Sequence, residues 1–437
     1  MEREFYQKLI KWKQSQFRKP LVLRGARQVG KTYILTDFAK REYVDSVYIN
    51  FDENPHFMSF FDENLDPDRI IKELGIYFKK KISPHTTLII LDEIQECPKA
   101  LASLKYFCEK KNDYHVAAAG SLLGVKLAEG FPVGKVNFLD LAALSFFEFL
   151  QAIGEGGLKV MLEEMQHPKA VSEIFHNKLI SCLKYYFIIG GMPEAVVAYL
   201  KTESLEQVRV VQKEILDAYL LDFAKHAPKD EVMKIMAVWE SVPNQLAKEN
   251  KKFIFSAIRK SARAREFETS IQWLRSAGLI IKANLISTPK LPLNAYSDKQ
   301  AFKIFLFDVG LLGAMSKLDP RMILEKEQLF QEFKGALTEN FVAVELHDQH
   351  FDELYYWTSE GVAEVDFVIS KEQHIFPLEV KAGFSKKKKS LLVYDEKFSK
   401  DENAPLVLSR ASLRNFAYDG KLINYPLYAI ELFPRFR

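Results

Sequence analysis

The sequence predicts an α/β protein: a parallel sheet, then a helical segment, a winged-helix-like segment and a second α/β domain at the C-terminus. Three observations carry that prediction. Residues 25–32 read Gly-Ala-Arg-Gln-Val-Gly-Lys-Thr, between the apolar run Leu21-Val22-Leu23 and a helical pattern. The run Leu88-Ile89-Ile90-Leu91 is apolar throughout and ends in Asp92-Glu93. Near the C-terminus, Asp366 and Glu379-x-Lys381 fall on successive strand-like segments.

Residues 1–19 read as a leading helix, with Phe5, Leu9 and Trp12 along one apolar side. The strand at 21–23 then delivers the glycine-bearing turn. Its glycines let the backbone N–H groups of Gly25, Ala26, Arg27, Gln28, Val29 and Gly30 curl around a polyphosphate. Lys31 would reach the outer phosphates and Thr32 would offer its hydroxyl to Mg²⁺. A helix begins at about Lys31 and adds its positive N-terminal end to the anion site; Ile34, Leu35, Phe38 and Ala39 share its buried face. Strand, turn and helix together are the P-loop of a nucleoside-triphosphate-binding protein.

An all-apolar strand at 88–91 suits a central parallel strand buried on both faces. It carries Asp92-Glu93 to its carboxyl end, where open α/β sheets bind ligands. Asp92 would hold Mg²⁺ beside Thr32, and Glu93 would orient the attacking water. Alone, two acids could simply start an exposed helix; coupled to the loop, they point to hydrolysis. A third strand, 116–119, ends in Gly120-Ser121. Ser121 is placed to contact the γ-phosphate or the water, or to cap a helix, and the two roles are compatible. Runs at 46–51 and 136–141 complete a five-stranded sheet.

These residues resemble an uncharacterised prokaryotic group of AAA-type ATPases. The shared elements are Leu-Arg-Gly-Ala-Arg-Gln-Val-Gly-Lys-Thr at 23–32, Leu-Asp-Glu-Ile-Gln at 91–95, Ala-Gly-Ser at 119–121 and Leu-Ser-Phe-Phe-Glu-Phe-Leu at 144–150, with Gly190-Gly191-Met192-Pro193-Glu194 recurring beyond them. Ala143 departs from the group, where Pro is expected. The resemblance implies ATP as the nucleotide, a small nucleotide-sensing helical lid after the core, an arginine supplied by a neighbouring subunit, and hence a homo-oligomer. It also implies a C-terminal domain similar to the PD-(D/E)xK nucleases. Arg27 and Lys135 are the basic candidates near the core.

Composition suits a soluble protein of two or three domains, with 48% apolar and 27% charged residues in 437. No apolar stretch is long enough to cross a bilayer, and residues 1–18 lack a secretory core. Cys97, Cys108 and Cys182 are too few and scattered for a disulfide framework or zinc site, so a reduced cytoplasm is expected. A net charge of +3 does not by itself argue for nucleic acid.

The expected domains are an ATPase core at 1–150, a helical lid at 151–228, a winged-helix-like segment at 229–300 and the nuclease-like domain at 301–437. Helices at 256–262 and 266–276, then a hairpin at 279–286, suggest the winged helix. Its basic residues are Lys251, Lys252, Arg259, Lys260, Arg263, Arg265 and Arg275. Such a module can lay a helix in a DNA groove, although Glu266 and Glu268 would repel phosphates. The alternative is a purely structural module.

In the C-terminal domain, Tyr355-Tyr356-Trp357, a turn at Glu360-Gly361, the alternating run 364–369 and the strand 375–381 succeed one another. Period-two geometry puts Glu379 and Lys381 on one sheet face. Upstream, a helix at 335–346 carries Glu339 near its start. Asp366 and Glu379, with the Val380 carbonyl, would bind Mg²⁺ or Mn²⁺, and Glu339 would help from the helix. Lys381 would position a water or neutralise developing charge. The order acid, Asp, Glu-x-Lys resembles the PD-(D/E)xK pattern, with Val-Asp where Pro-Asp is nominal. Lysines at 386–389 suit phosphodiester backbone contacts or a solvated face. Two functions stay open: a DNA-processing or defence ATPase that engages and cleaves DNA, or a nucleotide-dependent switch that binds protein partners and keeps an inactive nuclease fold.

Overall fold

The structure, a computed structural model, describes residues 2–121, 134–248, 252–325, 331–351, 353–359, 363–385, 388–400 and 407–436. The chain divides into two compact units. The first comprises Glu2–Ala143 with Ser276–Gly278, and the second Leu144–Arg275 with Leu279–Arg437.

In the first unit, α1 (Phe5–Gln14) precedes β1 (Leu21–Gly25), α2 (Lys31–Glu42), β2 (Asp45–Asn50), α3 (Pro67–Phe78), β3 (Thr87–Asp92), α4 (Pro98–Lys110), β4 (His115–Ser121) and β5 (Asn137–Asp140). The strands form one sheet in the order β2-β3-β4-β1-β5, parallel throughout. All six residues of β3 are buried, as its unbroken apolar run requires of a central strand. Ile49, Ile89, Leu91, Leu101, Leu104 and Val116 share one core on this sheet. Because β4 lies between β1 and β3, the loop after β1 and the acids ending β3 are brought to one edge with a strand between them.

The second unit begins with α5 (Phe146–Ala152), whose Ser145 and Glu148 form a reciprocal capping box. Helices α6 (Gly156–Glu163), α7 (Glu173–Ile189), α8 (Pro193–Thr202), α9 (Leu205–His226), α10 (Val232–Leu246) and α11 (Ala264–Ser276) follow. Then come β6 (Ile280–Ile286), β7 (Ser297–Leu306), α12 (Val309–Met315), α13 (Pro320–Glu325), α14 (Gln331–Asp348), β8 (Leu354–Ser359), β9 (Ala363–Lys371) and β10 (His374–Val380). The unit ends with α15 (Lys389–Phe398), β11 (Leu408–Ser412), β12 (Ala417–Tyr418) and β13 (Leu422–Pro426). Its eight strands form a mixed sheet in the order β12-β13-β11-β10-β9-β8-β6-β7.

The compact units divide the chain differently from the expected segments. The first compact unit ends at Ala143, and α5, expected from sequence in the ATPase core, packs its apolar side in the second unit: Phe146 and Phe149 meet the Tyr186 ring at 5.6 and 5.3 Å. The helices expected as a separate lid also belong to the second unit. There Phe187 packs on Phe341 at 5.3 Å, and His176 Nδ1 shares a hydrogen bond with the Tyr428 hydroxyl at 2.8 Å. The winged-helix hairpin at 279–286 is instead one strand, β6. It pairs antiparallel with β7 and parallel with β8, so the boundary at 300/301 falls inside β7. The physical reason is apolar coverage: residues 301–306 are all buried, which an exposed wing cannot provide. Of the first expected helix only a short turn at Phe255–Ala257 forms, whereas α11 matches the second. Lys251, Glu360, Gly361 and residues 386–387 lie outside the described residues.

The recurring Gly190-Gly191 element has a packing role. Gly191 donates its N–H to Asp308 Oδ2 at 2.6 Å, and a Cβ there would lie 2.1 Å from the Leu144 carbonyl oxygen. Only glycine fits so close an approach. Among the described residues, no helix is long and apolar enough to cross a membrane.

Candidate functional sites

In the first unit, β1 runs straight into the loop Ala26–Gly30 and α2 starts at Lys31, after Gly30 at φ 94°. Gly25 is tight, since a Cβ would sit 2.3 Å from the Leu141 carbonyl oxygen. Gln28 takes φ 63°, Val29 is fully buried, and the Val29 carbonyl accepts from Arg3 Nη1 at 3.3 Å. Arg3 Nη2 also donates to the Ala142 carbonyl at 2.8 Å, which ties the N-terminus to the back of the loop. The buried Lys31 ammonium donates to the carbonyls of Gly25 (3.1 Å) and Ala26 (2.7 Å).

The two halves expected from sequence meet. Thr32 Oγ1 donates to Asp92 Oδ2 at 2.6 Å. The same oxygen accepts from the Tyr48 hydroxyl at 2.8 Å, and Asp92 Oδ1 accepts the Glu93 N–H at 3.0 Å. Asp92 is 2% exposed, so these bonds stabilise a carboxylate that water barely reaches. Burial, then the Asp92 charge, raises the Tyr48 pKa, which keeps the phenol a donor. Glu93 takes a left-handed backbone (φ 50°, ψ 46°), and its carboxylate accepts from Gln95 Nε2. Ser121 closes β4 with its backbone in register with Gly25; its side chain lies outside the described residues. Lys135 pairs with Glu109 at 3.0 Å.

In the second unit, Asp366 and Glu379 stand on neighbouring antiparallel strands, β9 and β10. Asp366 Oδ2 accepts the Val380 N–H at 2.7 Å. Lys381 Nζ pairs with Glu379 Oε1 at 2.8 Å, in line with their shared face. Glu379 is 2% exposed, and its Oε2 is a buried oxygen with no hydrogen-bond partner among the described residues.

Glu339, however, does not group with Glu379. Among the described residues, the carboxylates that converge are Glu339, Glu364 and Asp366, with oxygens within 4.8 Å of one another. Glu364 takes the place assigned to Glu379 because it lies two residues before Asp366 on β9, on the same face. Lys303, from β7, enters the cluster. Its Nζ donates to Glu339 Oε1 at 2.7 Å and to Glu364 Oε1, and stands 3.9 Å from Asp366 Oδ1. The Tyr356 ring lies 4.9 Å from this ammonium. Burial by itself would lower the Lys303 pKa; Glu339, Glu364 and Asp366 overturn that and hold it well above the usual lysine range.

Tyr48, Gln95, Glu364 and Lys303 were not singled out from sequence. Two of them left a readable signal. Glu364 precedes Asp366 at period two, and Lys303 is a lone charge inside the apolar run Ala301–Leu306.

Residues 17–150 match the family model described as an AAA domain. Residues 181–322 and 334–429 match two domains of unknown function, DUF8612 and DUF4143. No curated protein matches the chain. Among solved structures, the chain is similar to the Walker-type ATPase PABY2304 of Pyrococcus abyssi, at 14% identity and TM-score 0.45, over 72% of this chain and 95% of that one. It is also similar to the Aeropyrum pernix ORC1 protein in complex with DNA, at 14% identity and TM-score 0.29, over 72% and 90%. AMPPCP-bound DnaA from Aquifex aeolicus is 15% identical with TM-score 0.28, over 63% and 86%. The first unit is thus an AAA-type P-loop ATPase domain.

Proposed function

We propose that the chain is a Mg²⁺-dependent ATPase whose second unit carries a nuclease-like, DNA-engaging centre. The observation that carries the first half is the 2.6 Å bond between Thr32 and Asp92, which joins the phosphate loop to the acidic strand. Both groups are oxygen donors of the kind Mg²⁺ takes, and the bound ion would shield phosphate charge. The neutral carbonyls of Gly25 and Ala26 can exchange Lys31 for phosphate oxygens, where its charge stabilises the transferring group. Glu93 orients the water that attacks the γ-phosphorus and takes its proton, as ADP leaves. Arg27 and Ser121 complete the loop's surroundings.

For the second unit, the unpartnered Glu379 oxygen supports a hard-cation site formed with Asp366 and the Val380 carbonyl, with Lys381 beside it. A cation held there would supply an activated water, and Lys381 would neutralise charge on a phosphodiester. A second reading is favoured by Lys303, which already occupies the acid cluster: the domain keeps the fold as a docking surface for a protein partner.

Two assays test the proposal on the full chain. Glu93→Gln should keep nucleotide binding and lose ATP turnover; unchanged turnover in that variant would remove Glu93 from the reaction. Supercoiled plasmid with Mg²⁺ or Mn²⁺ should be nicked by wild type and not by Asp366→Ala. An intact plasmid with every protein, ATP still being hydrolysed, would move the assignment to the second reading.

A further inference from the structure

We propose that the Lys303 ammonium is a tethered substitute for a metal ion: it fills the cation position bounded by Glu339, Glu364 and Asp366. The second unit therefore holds at most one divalent cation, at Asp366 and Glu379. The location of that one ion rests on the nuclease-like reading above; the role of Lys303 does not.

Three carboxylates converge within 4.8 Å, and Glu339 is 2% exposed. Left alone, such a group repels itself in a medium that screens poorly, so a proton or a cation must sit among them. The structure already supplies one. Lys303 bonds Glu339 and Glu364, pairs with Asp366, and lies over the face of Tyr356, a favourable cation–π position. A divalent ion would need the same oxygens at about 2.0–2.6 Å, inside the space the ammonium holds.

Nor can the ammonium step aside. The Lys303 side chain is 1% exposed and leaves the backbone in the middle of Ala301–Leu306, where every residue is buried. Moving its charge to solvent would break its bonds to Glu339 and Glu364 and leave those carboxylates uncompensated. Keeping it in place beside a divalent ion would set like charges together without intervening water. The acid cluster thus fails as a metal site for a specific reason, while at Glu379 the Oε2 oxygen stays without a partner among the described residues, beside the Lys381 pair at Oε1. A lysine contributed by β7, ahead of the helix and strands that bear the acids, sets the metal count of the centre.

The test uses nucleotide-free full-length protein carrying Asp92→Asn, so that an ion at the phosphate loop is not counted. Bound Mn²⁺ is measured by the loss of the free-ion electron paramagnetic resonance signal, and unfolding is followed with and without Mn²⁺. The parent should bind at most one Mn²⁺ per chain, lost in Glu379→Gln. Lys303→Met should bind one more, kept in Lys303→Met/Glu379→Gln and lost in Lys303→Met/Glu364→Gln. If Lys303→Met is unfolded without metal, Mn²⁺ should restore it.

Two ions on the parent, or the same number on a folded Lys303→Met, would overturn the proposal. So would a Lys303→Met chain that stays unfolded at saturating Mn²⁺ while Lys303→Met/Glu364→Gln folds. No ion on the parent but one on Lys303→Met would sustain the substitution and remove the nuclease-like metal site instead.

Discussion

Each unit buries a lysine among oxygens, and the two are held differently. Lys31 donates to the main-chain carbonyls of Gly25 and Ala26, whereas Lys303 lies among Glu339, Glu364 and Asp366. Carbonyl dipoles satisfy an ammonium without neutralising it, so a phosphate can outbid them; carboxylates neutralise it and bind it in place. Burial of the same side chain thus yields a mobile ligand-binding charge in one unit and a fixed structural charge in the other.

The contrast is broken most directly through the lysines themselves. Lys31→Ala should cut ATP turnover by roughly a hundredfold or more while leaving the fold intact, since a donor to developing phosphate charge is lost. Turnover and thermal unfolding together check this. Lys303→Met should do the opposite in metal-free buffer: it strands three acids and should destabilise the second unit by about 3–5 kcal/mol, read from denaturant unfolding. Comparable loss of stability in both variants would erase the distinction.

Asp308 sharpens the comparison as a buried acid held largely by dipoles. It accepts from the Gly191 and Leu311 N–H groups at 2.6 and 2.8 Å. Burial nevertheless pushes its pKa from 3.8 to about 6. Because the folded-state value is the higher one, its stabilising contribution is complete below about pH 4 and is lost as pH rises through 6. The stability advantage of wild type over Asp308→Asn should fall by up to about 3 kcal/mol between pH 4 and 7. A pH-independent difference would show that the amides compensate the charge fully.

The smallest effect is expected at Tyr48. Tyr48→Phe removes one of three bonds to the Asp92 carboxylate and should raise the Mg²⁺ concentration needed for half-maximal turnover roughly fivefold, about 1 kcal/mol. An unaltered Mg²⁺ dependence would leave Tyr48 a packing residue.

The legible parts of this protein are those in which chemistry is local in the chain. The loop 25–32 needs its glycines, lysine and threonine at fixed spacing, so the sequence displays the site whole. The central strand β3 was readable because such strands are apolar throughout, whereas the edge strands β2 and β5 alternate in burial. Asp366, Glu379 and Lys381 were readable as types on neighbouring strands. Their grouping was not, since it depends on which side chains a helix and distant strands bring together.

Sequence by itself thus determined the phosphate loop, the acidic strand, the five strand runs of the first sheet and the strands that carry the C-terminal acids. Each follows from spacing of a few residues or from period-two and helical patterns. Only the tertiary structure decided that β6 and β7 join the C-terminal sheet, that α5 and the helices after it belong to that unit, and that Lys303 enters an acid cluster formed more than thirty residues downstream. Strand pairing and buried charge compensation are settled by what lies across the sheet, and no local pattern carries that information.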